Sequence, residues 1–544
     1  MRIDDGGRRG FLRRAGLVVP GLALAGEIPT SAAKSAAEMG HPAEDPAVFY
    51  DVTAFGTKGD GKTIDSGAIN RAIEAAAAAG GGTVYFRAGN YLCYSIHLRS
   101  KVAIYLEQGS TIIAADPTSS ATSDAAHGYD LAESNQPWEN YQDYGHNHWH
   151  NSLIWGEGLD GVSIGGPGLI WGKGLSRGWG AGPVAENPGV ANKAIALKNC
   201  RNVLLRDFSI LHGGHFGILA TGVDNLTIDN LKIDTNRDGM DVDCCRNVRI
   251  TNCSVNSPWD DGICLKSSYA LGYARATEMV TISNCLVAGS FEEGALLDGT
   301  FKRFATDAQV PRTGRIKFGT ESNGGFKNIT VANCVFDGCS GLAIETVDGA
   351  VIEDVSVTNI TMRDVASAPI FLRLGARMRG PEGAPVGILR RVILSNISCV
   401  CAAGSRISSI LAGIPGHAIE DVKLSDIMIV HSGGGTKADA QRSLADKEKE
   451  YPEPNMFGIT PAHGFFIRHV RGIEMAGIKI EHVGEDLRSA FVVEDADGAD
   501  FGRIKAGVTA GVPTFALSDV RNLSIYRSKP VPDTEVASTE KKEI

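Results

Sequence analysis

The chain has 544 residues, of which 43% are hydrophobic and 21% are charged, which is the composition of a globular protein and not of a disordered one. Its formal net charge of −10 argues against nucleic acid as a partner, and beyond the N-terminus no stretch of ~18 residues is continuously apolar, which argues against a membrane protein. The 66 glycines favour a turn-rich β protein over a helical one.

Residues 1–33 are predicted to be an export signal of the twin-arginine type. The pair Arg8-Arg9 precedes a modest apolar run from Leu17 to Ala25, which is too short to span a bilayer. We therefore expect a periplasmic or secreted protein whose mature part begins after Ala33. A basic disordered tail is the alternative, but the arginines, the apolar run and the small residues occur in the order of a signal.

An alanine-rich run at residues 66–79 is predicted to be a helix that ends at Gly80-Gly81-Gly82. A helix in this place would cover the open end of a solenoid core. A phosphate-binding loop is the competing interpretation of the glycines. We favour the helix C-cap, because phosphate loops open a helix and these glycines follow one.

From about residue 195 one phrase recurs, as in RNVLLRDFSI, DNLTIDNLKI and RNVRITNCSV, with apolar and polar residues alternating at the period of a strand. An Asn or Asp follows the first alternation, and the shortest intervals between these positions are 22 and 23 residues. Coils of ~22 residues fit a parallel β-helix, a solenoid whose coils stack ~4.8 Å apart. A leucine-rich repeat is the alternative, and its leucine signature is missing. The recurring Asn or Asp positions are 207, 230, 252, 284, 333, 359, 396 and 426.

We therefore predict an all-β chain, with one parallel β-helix domain over residues 34–530 and stacked coils from about 195 to 485. Residues 431–464 form an excursion, in which the charged piece ADAQRSLADKEKE is predicted to be helical. Residues 531–544 are predicted to be a disordered tail.

Three of the eleven cysteines, Cys253, Cys285 and Cys334, occupy the same place in ITNC, ISNC and VANC. Stacked on successive coils, they are interpreted as small buried hydrophobic residues and not as disulfide partners.

The pair Asp238-Gly239 returns as Asp261-Gly262 after 23 residues, which is one coil. Stacking would place Asp238 about one strand spacing from Asp260 and Asp261. Crowded carboxylates raise at least one pKa, which leaves a protonated acid beside an ionised base, as glycosidic cleavage requires. Two alternatives stay open: Asp-Gly is a common turn dipeptide, and an aspartate cluster can hold Ca²⁺.

NRDG, followed one coil later by WDDG, resembles the NTDG and QDD motifs of glycoside hydrolase family 28, the polygalacturonase family of right-handed parallel β-helices. The likeness covers roughly residues 48 to 425. It implies an inverting glycoside hydrolase that acts on pectic, uronate-containing polysaccharides or oligosaccharides without a metal or other cofactor. By position, Asp260 would be the general acid, while Asp238 and Asp261 would hold and deprotonate the attacking water.

The family's Gly-His-Gly motif is not preserved, because its His falls on Glu293 in FEEG. Glu293 is expected to add a fourth acid near the substrate or to have drifted from a functional role. This departure leaves open a neutral or 6-deoxy sugar, such as rhamnose, at the cleaved bond.

The family's Arg-Ile-Lys motif stands as Arg315-Ile316-Lys317. Alternation puts Arg315 and Lys317 on one strand face, where they are predicted to clamp a uronate carboxylate. An alternative register moves this slot to Ala343 and Glu345.

Two further residues are predicted to contact substrate. Trp259 lies beside the aspartate pair and offers an aromatic face to a sugar, and Lys266 ends the strand-forming segment DGICLK.

Other functions remain as alternatives. His146, His148 and His150 alternate as zinc ligands on a strand do, although no fourth ligand is evident. A polysaccharide lyase or epimerase on the same scaffold would use Ca²⁺ on the acids and a lysine or arginine as base. A non-catalytic carbohydrate-binding β-helix would bind oligomers without cleaving them.

Overall fold

Parallel strands one coil apart in the sequence pair with each other in a computed structural model that describes residues 49–117, 128–143, 145–178 and 186–544. Val203 pairs with Leu226, and Leu226 pairs with Val248 on the following coil. The predicted parallel β-helix is therefore confirmed. Within the described ranges, no helix is both long and apolar enough to cross a membrane. The predicted export signal lies outside these ranges and stays a prediction.

The strands form three stacks. The first stack carries the candidate site and consists of Ile96–His97, Ile154–Glu157, Lys193–Lys198, Phe216–Thr221, Asp238–Asp243, Ile263–Ser267, Ile316–Ser322, Leu342–Thr346, Ile370–Leu374, Ser409–Ala412, Ala462–Ala476, Ser489–Gly502 and Phe515–Tyr526. The second stack consists of Phe49–Asp51, Gly82–Phe86, Val102–Leu106, Asp160–Gly165, Arg201–Arg206, Asp224–Asp229, Arg246–Thr251, Thr277–Ser283, Phe326–Asp337, Val351–Val365, Ile388–Cys401 and Ile419–His431.

The third stack is short-stranded and merges with the second between Phe326 and His431, where single long strands serve both. From Ala462 onward, single long strands serve the first and second stacks instead. Its separate strands are Asp60–Ile64, Gly89–Cys93, Ser110–Ala114, Leu169–Trp171, Ser209–Leu211, Lys232–Asp234, Ser254–Asn256, Leu286–Ala288, Lys479–His482 and Lys505–Ala506. Short 3-10 turns lie at Val52–Phe55, Glu139–Tyr141 and Pro454–Met456.

The inward-facing side chains of all three stacks form one continuous hydrophobic core. Every one of the eleven cysteines is buried and free, so the interpretation of Cys253, Cys285 and Cys334 as small core residues is confirmed. Burying apolar surface contributes roughly 25 cal/mol per Å². No single coil encloses enough of it alone, so stability depends on stacking.

The recurrent Asn or Asp marks a turn between the second and third stacks. All eight positions have φ between 53° and 68°, in the left-handed region that Asn and Asp tolerate better than most residues. Their side chains also bond along the stack: Asn333 donates to Asn284 at 3.3 Å and accepts from Asn359 at 3.0 Å. This turn explains the periodicity of the sequence.

The predicted helix near the N-terminus is present as Ser66–Ala78, and its buried face, with Ile69 and Ile73, belongs to the same core. The glycines that follow it form the predicted C-cap. The amide of Gly81 donates to the carbonyl oxygen of Ala76 at 3.0 Å, and Gly81 has a φ of 133°.

The helix predicted within residues 438–450 is wrong beyond its first turn, since the structure has only Lys437–Ala440 as helix. Carbonyl groups that a longer helix would use accept bonds from arginines of neighbouring coils instead. Arg468 binds the carbonyl oxygen of Leu444 at 2.6 Å, and Arg373 binds that of Asp446 at 2.7 Å.

The predicted disordered tail at 531–544 is also wrong. Thr534–Glu543 forms a strand that pairs antiparallel with Phe515–Tyr526, the last strand of the first stack. An open terminal coil exposes unpaired backbone groups. The charged tail satisfies them, and Val536 packs into the core.

Replacing Asn333 with Ala should lower the free energy of unfolding by about 1–2 kcal/mol, because Ala is strained at positive φ and loses the hydrogen bonds along the stack. Replacing it with Gly should cost less, because Gly adopts this φ freely. Denaturant-induced unfolding of the two variants tests this. Equal losses in both would show that the backbone conformation is not what selects Asn.

Candidate active site

Three aspartates meet at the N-terminal ends of two adjacent strands in the first stack. Asp238 begins the strand Asp238–Asp243, and Asp260 and Asp261 precede the strand Ile263–Ser267 on the next coil. One carboxylate oxygen from each lies within 4.8 Å of one from each of the others. The predicted proximity of the three carboxylates is therefore confirmed, while their catalytic roles stay predictions.

The glycines that follow the aspartates allow the coils to approach closely. A Cβ atom on Gly239 would lie 2.4 Å from the carbonyl oxygen of Gly262, and one on Gly217 would lie 2.5 Å from that of Gly239. Asp238-Gly239 lies within a strand, and neither Gly239 nor Gly262 has a positive φ. The interpretation of Asp238-Gly239 as a turn is therefore wrong, and the repeated Asp-Gly reflects tight stacking.

Cationic side chains hold two of the three carboxylates. Arg315 Nε lies 2.9 Å from Asp261 Oδ1, and Lys317 Nζ lies 3.4 Å from Asp261 Oδ2. On the neighbouring carboxyl, Arg237 Nη2 donates to Asp260 Oδ2 at 2.8 Å. The site is thus a network of alternating charges and not an isolated acidic patch.

Register places Arg315 and Lys317 one coil beyond Asp261. Lys317 stacks on Cys264, and Ala343 stacks on Lys317. The alternative slot at Ala343 and Glu345 therefore lies one coil further from the aspartates, although Glu345 Oε2 approaches Lys317 Nζ to 3.8 Å.

The network separates the pKa values of the aspartates. Burial raises the pKa of Asp238 well above its ordinary value, and the charges of Asp241 and Asp260 raise it further. Burial also raises the pKa of Asp260, although Arg237 opposes this. Burial acts in the same direction on Asp261, but Lys317 and Arg315 outweigh it and lower its pKa. An ionised carboxylate therefore lies beside a pair of carboxyls that retain a proton more readily.

Other predicted site residues surround this centre at different depths. Trp259 is half-buried and packs edge-on against Phe304, with ring centroids 5.5 Å apart. Lys266 is buried, and its Nζ lies 3.0 Å from Glu321 and 3.7 Å from Asp241. Its amine is thus engaged by carboxylates of the protein.

Glu293 lies in the loop that precedes the Arg315 coil and is half-buried. Its carboxylate lies 2.9 Å from His212 Nε2, and it accepts a bond from Asn236 Nδ2 at 3.3 Å. Asn236 is two residues before Asp238, so Glu293 is linked to the strand Asp238–Asp243 through Asn236 and is not one of the three clustered carboxylates.

The excursion between Ile419–His431 and Ala462–Ala476 contributes two residues that sequence reasoning missed. Glu453 Oε1 accepts from Arg315 Nη2 and lies 3.2 Å from Lys317 Nζ. The ring of Tyr451 lies over the same amine, with Lys317 Nζ 5.5 Å from its centroid. Nothing in the repeat pattern points to these positions, because they lie more than 130 residues further along the chain.

Two histidines lie near the aspartates, of which the sequence analysis missed His215 and considered His146 only as a metal ligand. His215 Nε2 lies 3.9 Å from Asp238 Oδ2, and His146 Nε2 lies 3.0 Å from Asp241 Oδ2. The position of His215 could have been found from the repeat, because its neighbour Phe216 pairs with Asp238 one coil later.

The zinc site considered for the three alternating histidines does not form. His146 binds Asp241, His148 Nε2 lies 3.2 Å from Asn135 Oδ1, and His150 Nε2 lies 2.9 Å from Glu157. The three rings thus have three different partners.

The three clustered aspartates have the donor chemistry of a Ca²⁺ site, but their surroundings fit one poorly. Arg237, Arg315 and Lys317 already neutralise Asp260 and Asp261. A divalent cation would have to displace these bonds and would be repelled by three neighbouring positive charges.

Two family models match the chain. The right-handed beta helix region matches residues 193–376, and the model described as rhamnogalacturonase A/epimerase, pectate lyase-like, matches residues 49–153. A probable polygalacturonase of Vitis vinifera is 23% identical over 329 residues, which is 57% of this chain and 60% of that protein. Alginate lyase 7 of Azotobacter vinelandii is 62% identical over 42 residues, which is 8% of this chain and 5% of that protein.

Solved structures share the fold. The exopolygalacturonase of Thermotoga maritima has a TM-score of 0.56 at 19% identity, over 71% of this chain and 87% of that one. The family 28 exopolygalacturonase of Yersinia enterocolitica has a TM-score of 0.59 at 16% identity, over 89% of this chain and 79% of that one. The predicted right-handed parallel β-helix is confirmed, as is the resemblance to polygalacturonases that the sequence motifs indicate.

Replacing Asp238 with Asn should raise the free energy of unfolding at pH 7 by about 0.5–2 kcal/mol, the usual scale of a stabilising substitution, because Asn places no charge in this buried position beside Asp241 and Asp260. A carboxyl whose folded pKa is raised destabilises the protein as the pH rises above its ordinary value of 3.8. The gain should therefore vanish when unfolding is measured near pH 3.

Replacing Asp261 with Asn should have the opposite effect, a loss of about 3–5 kcal/mol at pH 7, because buried Arg315 and Lys317 lose a paired charge. Since the folded pKa of Asp261 is lowered, its contribution is present above 3.8 and is lost as the pH falls through the folded value. If both substitutions changed the free energy of unfolding at pH 7 in the same direction, the assignment of a raised pKa to Asp238 and a lowered pKa to Asp261 would be contradicted.

Proposed function

We propose that the chain is a glycoside hydrolase that cleaves pectic, uronate-containing polysaccharides or oligosaccharides. The observation that carries the proposal is the meeting of three carboxylates whose pKa values move in opposite directions. Hydrolysis of a glycosidic bond needs such a pairing of acid and base. The similarity to a probable polygalacturonase supports the class of substrate. A predicted export signal at residues 1–33 is consistent with a polysaccharide substrate outside the cytoplasm.

In this mechanism Asp260 is the general acid that protonates the leaving oxygen. Its side chain is 26% exposed, whereas that of Asp238 is 6% exposed, so Asp260 reaches a bound sugar more readily. The mechanism assigns one proton to the pair Asp238 and Asp260, whose pKa values are both raised. When Asp260 carries it, Asp238 is ionised and joins Asp261 in holding and deprotonating the attacking water.

We further propose inversion of the anomeric centre. Carboxyl groups in inverting enzymes usually lie ~6.5–9.5 Å apart, and those of retaining enzymes ~5–5.5 Å apart. The close approach of these aspartates therefore favours retention by spacing alone. Against retention, both oxygens of Asp261 are bound by Arg315 and Lys317, which weakens it as a nucleophile. A carboxylate held in this way can still orient a water molecule.

The short match to an alginate lyase raises the alternative of a lyase or epimerase. Such a reaction needs a base that takes a proton from the sugar ring, and the lysine and arginine of the following coil that contact the aspartates are Lys317 and Arg315. Burial lowers their pKa values, but the neighbouring carboxylates outweigh burial and raise both well above the ordinary range. They therefore stay protonated, which argues against either of them as the base of a lyase or epimerase.

Replacing Asp260 with Asn should abolish hydrolysis of pectic oligosaccharides, a loss of roughly 10²–10⁴-fold or more in kcat, because the leaving oxygen is no longer protonated. A substrate with a good leaving group, such as a nitrophenyl glycoside, should recover part of the rate. Asp238→Asn should not recover in this way, because the water still lacks its base. Reducing-end release from a panel of pectic oligosaccharides, and from the nitrophenyl glycoside, measures hydrolysis by the parent protein and by both variants.

Asp229→Asn serves as the control, because Asp229 lies in the second stack, away from the aspartate cluster. It should hydrolyse like the parent protein. Ultraviolet-absorbing unsaturated products that disappear with chelator would assign a lyase instead. NMR of the first-formed product distinguishes inversion from retention, and a product that keeps the substrate's anomeric configuration contradicts inversion.

A further inference from the structure

Glu453 covers the two cations that were predicted to clamp a substrate carboxylate. Arg315 and Lys317 have side chains only 1% and 2% exposed, whereas the Glu453 side chain is 29% exposed and is bonded to both. The carboxylate of Glu453 thus lies between solvent and the cations. It occupies the place that a uronate carboxylate would need.

Neighbouring coils fix the segment that carries Glu453. Arg468 and Arg373 bind carbonyl oxygens of Leu444, Asp446 and Lys447, and the amide of Ala376 donates to the carbonyl oxygen of Glu448 at 2.7 Å. Leu444 and Phe457 are buried in an apolar cluster of the first stack that includes Phe371 and Phe466. Glu453 is therefore positioned by packed structure on both sides of it.

The charges around the cations are already balanced. Arg315 and Lys317 carry two positive charges, and Asp261 and Glu453 supply two negative ones. Glu345 lies 3.8 Å from Lys317, but burial raises its pKa to about 8, so it is largely neutral at pH 7. A substrate carboxylate added here would be an unpaired buried anion, which is strongly unfavourable.

We propose that Glu453 is a specificity-determining residue whose carboxylate takes the place of a substrate carboxylate on Arg315 and Lys317, so that the sugar bound at this subsite is uncharged. This inference rests on the proposed hydrolase function and narrows it. The substrate would be a pectic chain cleaved where a neutral or 6-deoxy sugar contacts Glu453 and Tyr451. Hydroxyl groups of such a sugar can donate to the exposed side of the Glu453 carboxylate.

The test compares Glu453→Ala and Glu453→Gln with the parent protein. Affinities for galacturonate and for galactose, measured by NMR titration, do not depend on turnover. Removing the carboxylate should tighten galacturonate binding by about 10–100-fold, the scale of one charge-assisted hydrogen bond, and leave or weaken galactose binding. Acetate should compete with galacturonate in Glu453→Ala, because it can refill the vacated position.

Glu453→Gln keeps the size of the side chain and protects the test against misfolding of the Ala variant; it should shift the galacturonate-to-galactose ratio in the same direction. Glu450→Ala is the matched control, since Glu450 is exposed three residues away and pairs with Lys447 at 3.3 Å. It should leave both affinities unchanged. Tight galacturonate binding by the parent protein that Glu453→Ala weakens or leaves unchanged would overturn the inference.

Assays of hydrolysis distinguish a failure of this inference from a failure of the proposed hydrolase function. If the affinities shift as expected but no variant or parent protein releases reducing ends, the hydrolase proposal fails and the role of Glu453 in recognition stands. If oligosaccharides are cleaved but those ending in uronate are preferred by the parent protein, the hydrolase stands and the role of Glu453 fails.

Discussion

The in-register stacking of coils is the constraint on which the rest of the molecule depends. It brings residues 22 or 23 positions apart in the chain into the same column, and the glycines at 217, 239 and 262 let the backbones approach closely there. The aspartates that precede two of these glycines are consequently forced together. Their proximity is a property of the scaffold, and no separate loop is needed to assemble them.

Forcing carboxylates together has an electrostatic cost that the neighbouring coils offset unequally. Asp261 receives two cations from the following coil, while Asp238 receives none of comparable closeness and faces Asp241 and Asp260 instead. The asymmetry follows from coil order: Arg315 and Lys317 lie on the coil directly after Asp261, whereas Asp238 lies one coil further from them. An acid and a base can therefore coexist within one cluster, which is the physical basis of the proposed chemistry.

The sequence predicts the repeating features of the structure well. Alternating apolar residues identify the strands, the Asn or Asp column identifies the turns, and the return of Asp-Gly after 23 residues identifies the clustered acids. Prediction fails where structure depends on non-repeating contacts. The tail at Thr534–Glu543 looks disordered because it is charged, yet it pairs with the last coil. Glu453 reaches Arg315 from 138 residues away, a separation that no local pattern encodes.

The distinction between repeating coils and non-repeating contacts also separates the residues of the proposed chemistry from the residue proposed to recognise the substrate. The three clustered carboxylates belong to the repeating coils, where a change in register would disturb every stacked neighbour. Glu453 belongs to an excursion anchored by its own contacts, so its side chain can change without altering the strands beneath it. Arg315 and Lys317 lie at the boundary between the two parts, since each binds both Asp261 and Glu453. Substitution within the excursion can therefore change which sugar is accepted while the aspartates keep their positions.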